Sequence, residues 1–507
     1  MGIDARRIAK NTVFLYARML LTMGVTLYTS RVVLEVLGAD DYGLYFTIFS
    51  IIGMLSFLNG TLSGGTSRFI TFELGKGNLE DLKATFSTTV YTHLMLALII
   101  LILGETVGLW YAYDILKVPD HQRQAAIIVY QISILITILT IVQIPFTAEI
   151  IAHERMNVYA YLGIFEAGAK LAIVYLLVNT PFVKIILYGW LQAGVTIILF
   201  FFYLIYCRLN FKEISFKNRF RKSIFKSMLG FSGWNLLANV TNTLMRQGVI
   251  MLFNYFFSPV VVAAQAISNQ ISQAAGQFVN NIRQAVNPQI IKLYAEGNET
   301  QSQTLTLKSA EYVYYLLLLI GVPCIMVMPR LLSIWLKEVP EYAVPFAQLM
   351  VLQLILDNFN SAFYIPLMAA NKMDKNAIWG SLLIVGQFVS IWLLFHFGLG
   401  PLWARYLSVF SICILSFVIK PYLLRKQVNY PLTKIMKCLM DCAKISIPIL
   451  IINVLIYISI PQTDFWYSLI VALFSALTVI CCSYFAIGSQ MREKIRKITL
   501  NYIGKFK

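Results

Sequence analysis

Charge is scarce in this chain: 13% of its 507 residues are Asp, Glu, Lys or Arg, against about 25% in an average soluble domain. With 58% hydrophobic residues and a mean hydropathy of +0.71, an all-α polytopic membrane protein is expected rather than a soluble one. Cysteine is sparse too. Cys207, Cys324, Cys413, Cys438, Cys442, Cys481 and Cys482 include no C-x-x-C pair, and most lie in apolar runs, so neither a disulfide framework nor a zinc site is supported. The four histidines, His93, His121, His153 and His396, match no ligand motif, and no metal or cofactor site is expected. The absence of a G-x-x-x-x-G-K-[ST] loop excludes a built-in ATPase. No small-residue cleavage signature follows Arg6, Arg7 and Lys10, so the first apolar segment reads as an uncleaved helix.

What is present is apolar length. A span needs about 20 apolar residues, and fourteen such segments can be placed: 11–37, 42–72, 85–110, 125–148, 158–178, 183–206, 229–256, 260–291, 310–336, 343–370, 377–397, 401–424, 443–461 and 465–487. Pro323 and Pro329 predict a kink or break in the ninth. With the N-terminus inside, 27 of the 41 Lys and Arg fall in inside segments. Only Lys117, Arg123, Lys337 and, at the outer edge of the sixth span, Lys184 fall outside. That asymmetry predicts both termini in the cytoplasm. It also explains the net charge of +17 without nucleic acid, because the basic run 208–228 reads as a solvated loop near anionic lipid.

The chain repeats itself. An offset of 220 lays Lys76-Gly77-Asn78 over Glu296-Gly297-Asn298, and Tyr42-Gly43 over Val262-Ala263. Ile144-Pro145 and Ala152–Met156 find an echo in Ile365-Pro366 and Ala370-Asn371-Lys372-Met373. The expected organisation is a six-helix lobe (1–207), a basic linker (208–228) and a second six-helix lobe (229–424). A basic loop (425–442), two extra helices (443–487) and a basic tail (488–507) follow. An even number of spans per copy gives the two lobes the same orientation.

Four helices carry polar stripes at steps of three and four, the period of one helix face. In span seven these are Asn235, Asn239, Asn242 and Arg246; in span eight, Gln265, Asn269, Ser272, Gly276, Asn280, Arg283 and Asn287. Span one offers Asn11, Arg18, Thr22, Thr26 and Thr29; span two offers Ser56, Asn59, Ser63 and Ser67, then Arg68. Lipid does not tolerate such faces, since an intramembrane Arg alone costs about 2.5–3.5 kcal/mol on insertion scales. They are expected to line a wet, cationic cleft, the competing reading being amides that glue helices together.

The helix count, the six-plus-six-plus-two plan and three signatures resemble the polysaccharide or O-antigen flippases of the multidrug/oligosaccharidyl-lipid/polysaccharide exporter superfamily. The signatures are Leu37–Tyr45 (LGADDYGLY), Glu73–Asn78 (ELGKGN) and Ala152–Met156 (AHERM). The resemblance covers essentially the whole chain. It implies a two-lobed, alternating-access transporter, not an enzyme, in the bacterial inner membrane. It also implies a polyprenyl-diphosphate-linked oligosaccharide as cargo, moved from the cytoplasmic to the periplasmic leaflet. A polysaccharide polymerase and chain-length machinery would be its partners beside the membrane lipids, and a monomer would suffice.

Given that cargo, Arg18, Arg246 and Arg283 are expected to hold the diphosphate, through planar donors and a charge that cannot be lost. Asn235, Asn239, Asn242, Gln265, Asn269 and Asn280 suit sugar hydroxyls. Arg68 reads as a gate or as a residue snorkelling to headgroups at the mouth. Arg31 has Glu35 one turn later, which suggests an outer ion pair. Asp357, in a stripe with Gln353, Asn360 and Tyr364, is an intramembrane acid, a site for H+ or Na+ coupling or a structural partner for an Arg. Glu166 and Lys170 read as a mutually neutralising pair. Asp40 and Asp41 read as turn residues and a helix start. Alternatives are a peptidoglycan lipid-precursor flippase, a cation-coupled multidrug exporter and, more remotely, a polysaccharide polymerase. The short outside loops and the lack of paired catalytic carboxylates argue against the last.

Overall fold

In hydrocarbon every backbone N–H and C=O must be paired within the chain, so long apolar runs become helices. The computed structural model describes residues 5–55, 66, 69–153, 155–214, 220–231, 233–459 and 465–486, and no strand occurs among them. Each of the fourteen expected spans is helical over its described residues, to within one or two residues at the ends, with a single interruption in the ninth. The chain is a multi-pass membrane protein.

The stretch α1 (Ala5–Leu55) is two helical segments that meet at a kink, the first belonging to span one and the second to the start of span two. The kink is a glycine, Gly38, at φ 79°, ψ 167°, a conformation that side chains beyond glycine rarely adopt, and Asp40 and Asp41 stand just beyond it, at the start of the second segment. There follow α2 (Leu79–Leu103), α3 (Arg123–Ala152), α4 (Met156–Asn179), α5 (Lys184–Asn210), α6 (Lys222–Phe231), α7 (Gly233–Phe256) and α8 (Pro259–Ala295). The ninth span breaks at Val327 into α9 (Glu299–Met326) and α10 (Met328–Trp335), as Pro329 in the first turn of α10 requires. Then come α11 (Ala343–Ala369), α12 (Asp374–His396), α13 (Leu402–Ile414), α14 (Lys420–Val428), α15 (Leu432–Ser459) and α16 (Phe465–Ala486).

By length and composition, ten described helical stretches could cross a membrane. Three further long helices, α7, α8 and α11, are absent from that set, and these three carry polar stripes.

The sequence repeat has a structural counterpart at the loops that hold Gly77 and Gly297. Gly77 and Gly297 both take left-handed φ, 73° and 77°. Each donates its N–H back into the helix it ends, Gly77 to the Leu74 carbonyl (3.2 Å) and Gly297 to the Tyr294 carbonyl (3.0 Å). Glycine takes this conformation with the least strain.

Contacts divide the described residues into two units. One comprises 1–267 with 380–401, the other 268–379 with 402–507. In the first unit Phe86, Phe146, Tyr203 and Cys207 are core residues, with Phe86 and Phe146 edge to face at 5.7 Å. Threonines buried in α2 pair with their own helix, Thr88 and Thr92 donating to the Ala84 and Thr88 carbonyls at 2.7 Å. In the second unit α9 packs against α11, and the two extra helices attach to α9. Tyr314 and Ser446 share a hydrogen bond of 2.7 Å there, and Asn453 of α15 donates to Thr478 of α16 at 3.2 Å. Glu166 and Lys170 form the expected pair, at 2.7 Å.

One glycine marks a close approach. A Cβ at Gly43 would stand 1.8 Å from the Pro259 carbonyl oxygen, so α1 touches the start of α8 backbone to backbone. Gly43→Ala is therefore expected to destabilise the protein by about 1–3 kcal/mol. Thermal unfolding in detergent measures this, and an unchanged Tm would show that the start of α8 yields.

Candidate functional site

The site residues predicted on span seven lie on α7, in the first unit. Arg246 is exposed and makes no hydrogen bond or ion pair with a described residue. Asn242 is exposed and donates its amide to the Ala238 carbonyl at 2.8 Å, leaving its oxygen outward as an acceptor. Asn239 is half-buried; Asn235 is helical, with a side chain outside the described set.

The stripe on α8 divides between the units. Gln265, in the first, is 4% exposed and so belongs to the packing more than to an open surface. Asn269, Asn280 and Arg283 lie in the second, with Asn269 half-buried and Asn280 exposed. Arg283 is half-buried and its Nη2 donates twice to Asn358 of α11, to the backbone carbonyl (2.7 Å) and to the side-chain oxygen (2.9 Å). The Asn358 amide donates in turn to the Ala310 carbonyl of α9 at 2.8 Å. The guanidinium is thus seated through one asparagine on two helices.

Beside Asn358 is Asp357. Its oxygens accept from Asn360 (2.8 Å) and Ser361 (2.9 Å), one turn further along the same helix. It makes no ion pair with a described residue; Arg283 is bonded to its neighbour Asn358, and Ser416, one turn before Lys420, donates to the Leu356 carbonyl at 3.0 Å. Lys420, at the start of α14, is 2% exposed and lies with Nζ 5.0 Å from the centre of the Tyr364 ring. Two cations and one carboxylate therefore gather in the second unit, an arrangement fit for an anion or for a small cation exchanged against Asp357. The sequence pattern pointed to Arg283, Asp357 and Tyr364. It did not point to Asn358 or Lys420, which fall off the stripe and are joined to it only by packing.

Arg31 is half-buried on α1. Arg18 lies on α1 with its side chain outside the described set, and Arg68 lies outside the described residues altogether.

No family model matches the sequence, and no curated protein does. Solved structures do match in fold. The lipid II flippase MurJ, in an inward closed conformation, superposes with a TM-score of 0.67 at 12% identity, over 94% of this chain and 98% of that one. An inward-facing multidrug resistance MATE family transporter of the MOP superfamily gives 0.65 at 13% identity, over 82% of this chain and 99% of that one. An outward-facing one gives 0.60 at 15% identity, over 82% and 95%. The chain has the fold shared by these membrane transporters.

Proposed function

We propose that this protein is a flippase. It moves a polyprenyl-diphosphate-linked oligosaccharide from the cytoplasmic to the periplasmic leaflet of the bacterial inner membrane, by alternating access between the lobes 1–207 and 229–424, with both termini inside. The observation that carries the reading is the exposed guanidinium of Arg246 on α7, with Asn242 one turn away. A diphosphate wants fixed positive charge and planar donors, sugars want amides, and a cationic drug wants neither cation. Arg283, seated on Asn358, adds a second fixed charge. The fold supports a lipid-linked cargo, since the MurJ structure covers 94% of the chain and the MATE structures 82–85%.

The test is leaflet translocation in proteoliposomes. A fluorescent polyprenyl-diphosphate oligosaccharide is the cargo and a membrane-impermeant quencher the readout. Protein-dependent movement of an oligosaccharide carrier supports the reading. The wider coverage by MurJ favours a second one, a peptidoglycan lipid-precursor flippase, which movement of lipid II alone would select. Ion-driven efflux of a cationic dye without lipid movement would select a drug exporter.

Asp357 is proposed as the coupling residue for H+ or Na+. Among the described residues its carboxylate accepts hydrogen bonds only from its own helix, which leaves it available to a mobile cation. Asp357→Asn is expected to keep flipping while losing the response to an imposed ion gradient. A variant that responds as wild type does would remove the coupling role.

A further inference from the structure

The first unit holds a cluster that the transport reading leaves unused. Glu149 and His153 stand one turn apart at the end of α3, and Glu213 follows α5, sixty residues on. One ligand atom from each lies within 4.8 Å of the others. His153 Nε2 is 2.5 Å from Glu213 Oε1 and 3.4 Å from Glu149 Oε1. The Phe211 ring stacks on the imidazole at 4.2 Å and 14°, which fixes its plane. His153 belongs to the Ala152–Met156 signature, to which the proposed function gives no task.

A second observation points to a ligand. Glu149 is 0% exposed, and neither of its carboxylate oxygens accepts a hydrogen bond from a described residue. A buried carboxylate is normally satisfied by donors or neutralised by a cation. Glu213 is 4% exposed, so two acids are buried around one imidazole. The cluster therefore favours bound positive charge. It borders a cavity of about 350 Å³ lined also by Glu73, Asn78, Arg155 and Lys212, with room for water to complete a coordination shell.

We infer that Glu149, His153 and Glu213 form a site for a divalent transition-metal ion, Mn2+ or Zn2+. Two carboxylates offset a 2+ charge, and a mixed oxygen and imidazole set suits these ions. Ligands at about 2.0–2.2 Å from one ion stand about 3–3.5 Å apart, so modest side-chain rotation suffices. The bound ion would tie the segment after span six to the end of span four, at the start of the basic linker. The site is independent of the cargo, and so is its test.

Mn2+ is the probe, because thiolates of the seven cysteines would compete for Zn2+. Loss of the free-Mn2+ electron paramagnetic resonance signal counts ions bound by the full-length protein in detergent. One saturable Mn2+ per chain is expected, with a rise in Tm on binding. Glu149→Gln and Glu213→Gln should each weaken it by more than about tenfold, the range in which even an outer-shell partner acts. Glu80→Gln, at an exposed acid paired with Lys83, should change nothing. If Glu149→Gln does not fold, His153→Gln with Glu213→Gln carries the same comparison. No saturable binding up to millimolar Mn2+, or equal binding by wild type and a Glu149→Gln/Glu213→Gln double variant, would overturn the site.

Discussion

Replacing Arg246 and Arg283 together by alanine is expected to reduce translocation of a polyprenyl-diphosphate oligosaccharide by more than about 100-fold, close to protein-free vesicles. A hydrogen bond to a charged group contributes about 1.5–3 kcal/mol, and each 1.36 kcal/mol is a factor of ten in rate. Two arginines that carry the diphosphate during its passage thus account for at least two orders of magnitude. The single variants separate the roles. Arg246 has no described partner to lose, so Arg246→Ala should lower flipping with Tm unchanged. Arg246→Lys should fall between, since the charge remains and the planar fork does not. Equal flipping by the double variant and wild type, at equal reconstitution, would remove both arginines from the cargo path.

Asn358→Leu is expected to cost about 3 kcal/mol or more in stability, and to impair flipping besides. Asn358 is 2% exposed and joins three elements, accepting from Arg283 and donating to the Ala310 carbonyl. Leucine fills a similar volume but strips the guanidinium of one acceptor and the carbonyl of its donor. Unsatisfied buried groups cost about 1–3 kcal/mol each, and more where a charge is involved. Thermal unfolding in detergent reads the loss. The Arg283→Ala/Asn358→Leu pair discriminates further, because removing both ends of the contact should recover part of it. A Tm equal to wild type in Asn358→Leu would mean that water takes over both bonds.

The helices were legible because their cause is local. A run of about 20 apolar residues has one stable form in lipid, and the breakers act where they stand: Pro329 opens α10 and Gly77 and Gly297 end their helices in the left-handed region. The pair Glu166–Lys170 was legible for the same reason, being one turn apart. The change of direction expected around Asp40 and Asp41 is made two residues earlier, at Gly38, and the second helical segment starts beyond it.

The site was legible in part. Periodicity alone singled out Arg246, Arg283 and Asp357, since intramembrane charge is costly wherever it points. It could not show that Gln265 would be packed away while Asn280 stayed exposed. Nor could it show that Asn358 would seat Arg283 from 75 residues away, or that Lys420 would be buried near Asp357. Glu149, His153 and Glu213 look unremarkable in sequence, separated by four and by sixty residues. Composition and spacing determined that this is a many-helix membrane protein and which helices carry polar faces. Tertiary structure decided which side chains on different helices meet. Away from the polar stripes, no difference in apolarity marks the face of a helix that turns inward, so those meetings depend on how the helices pack.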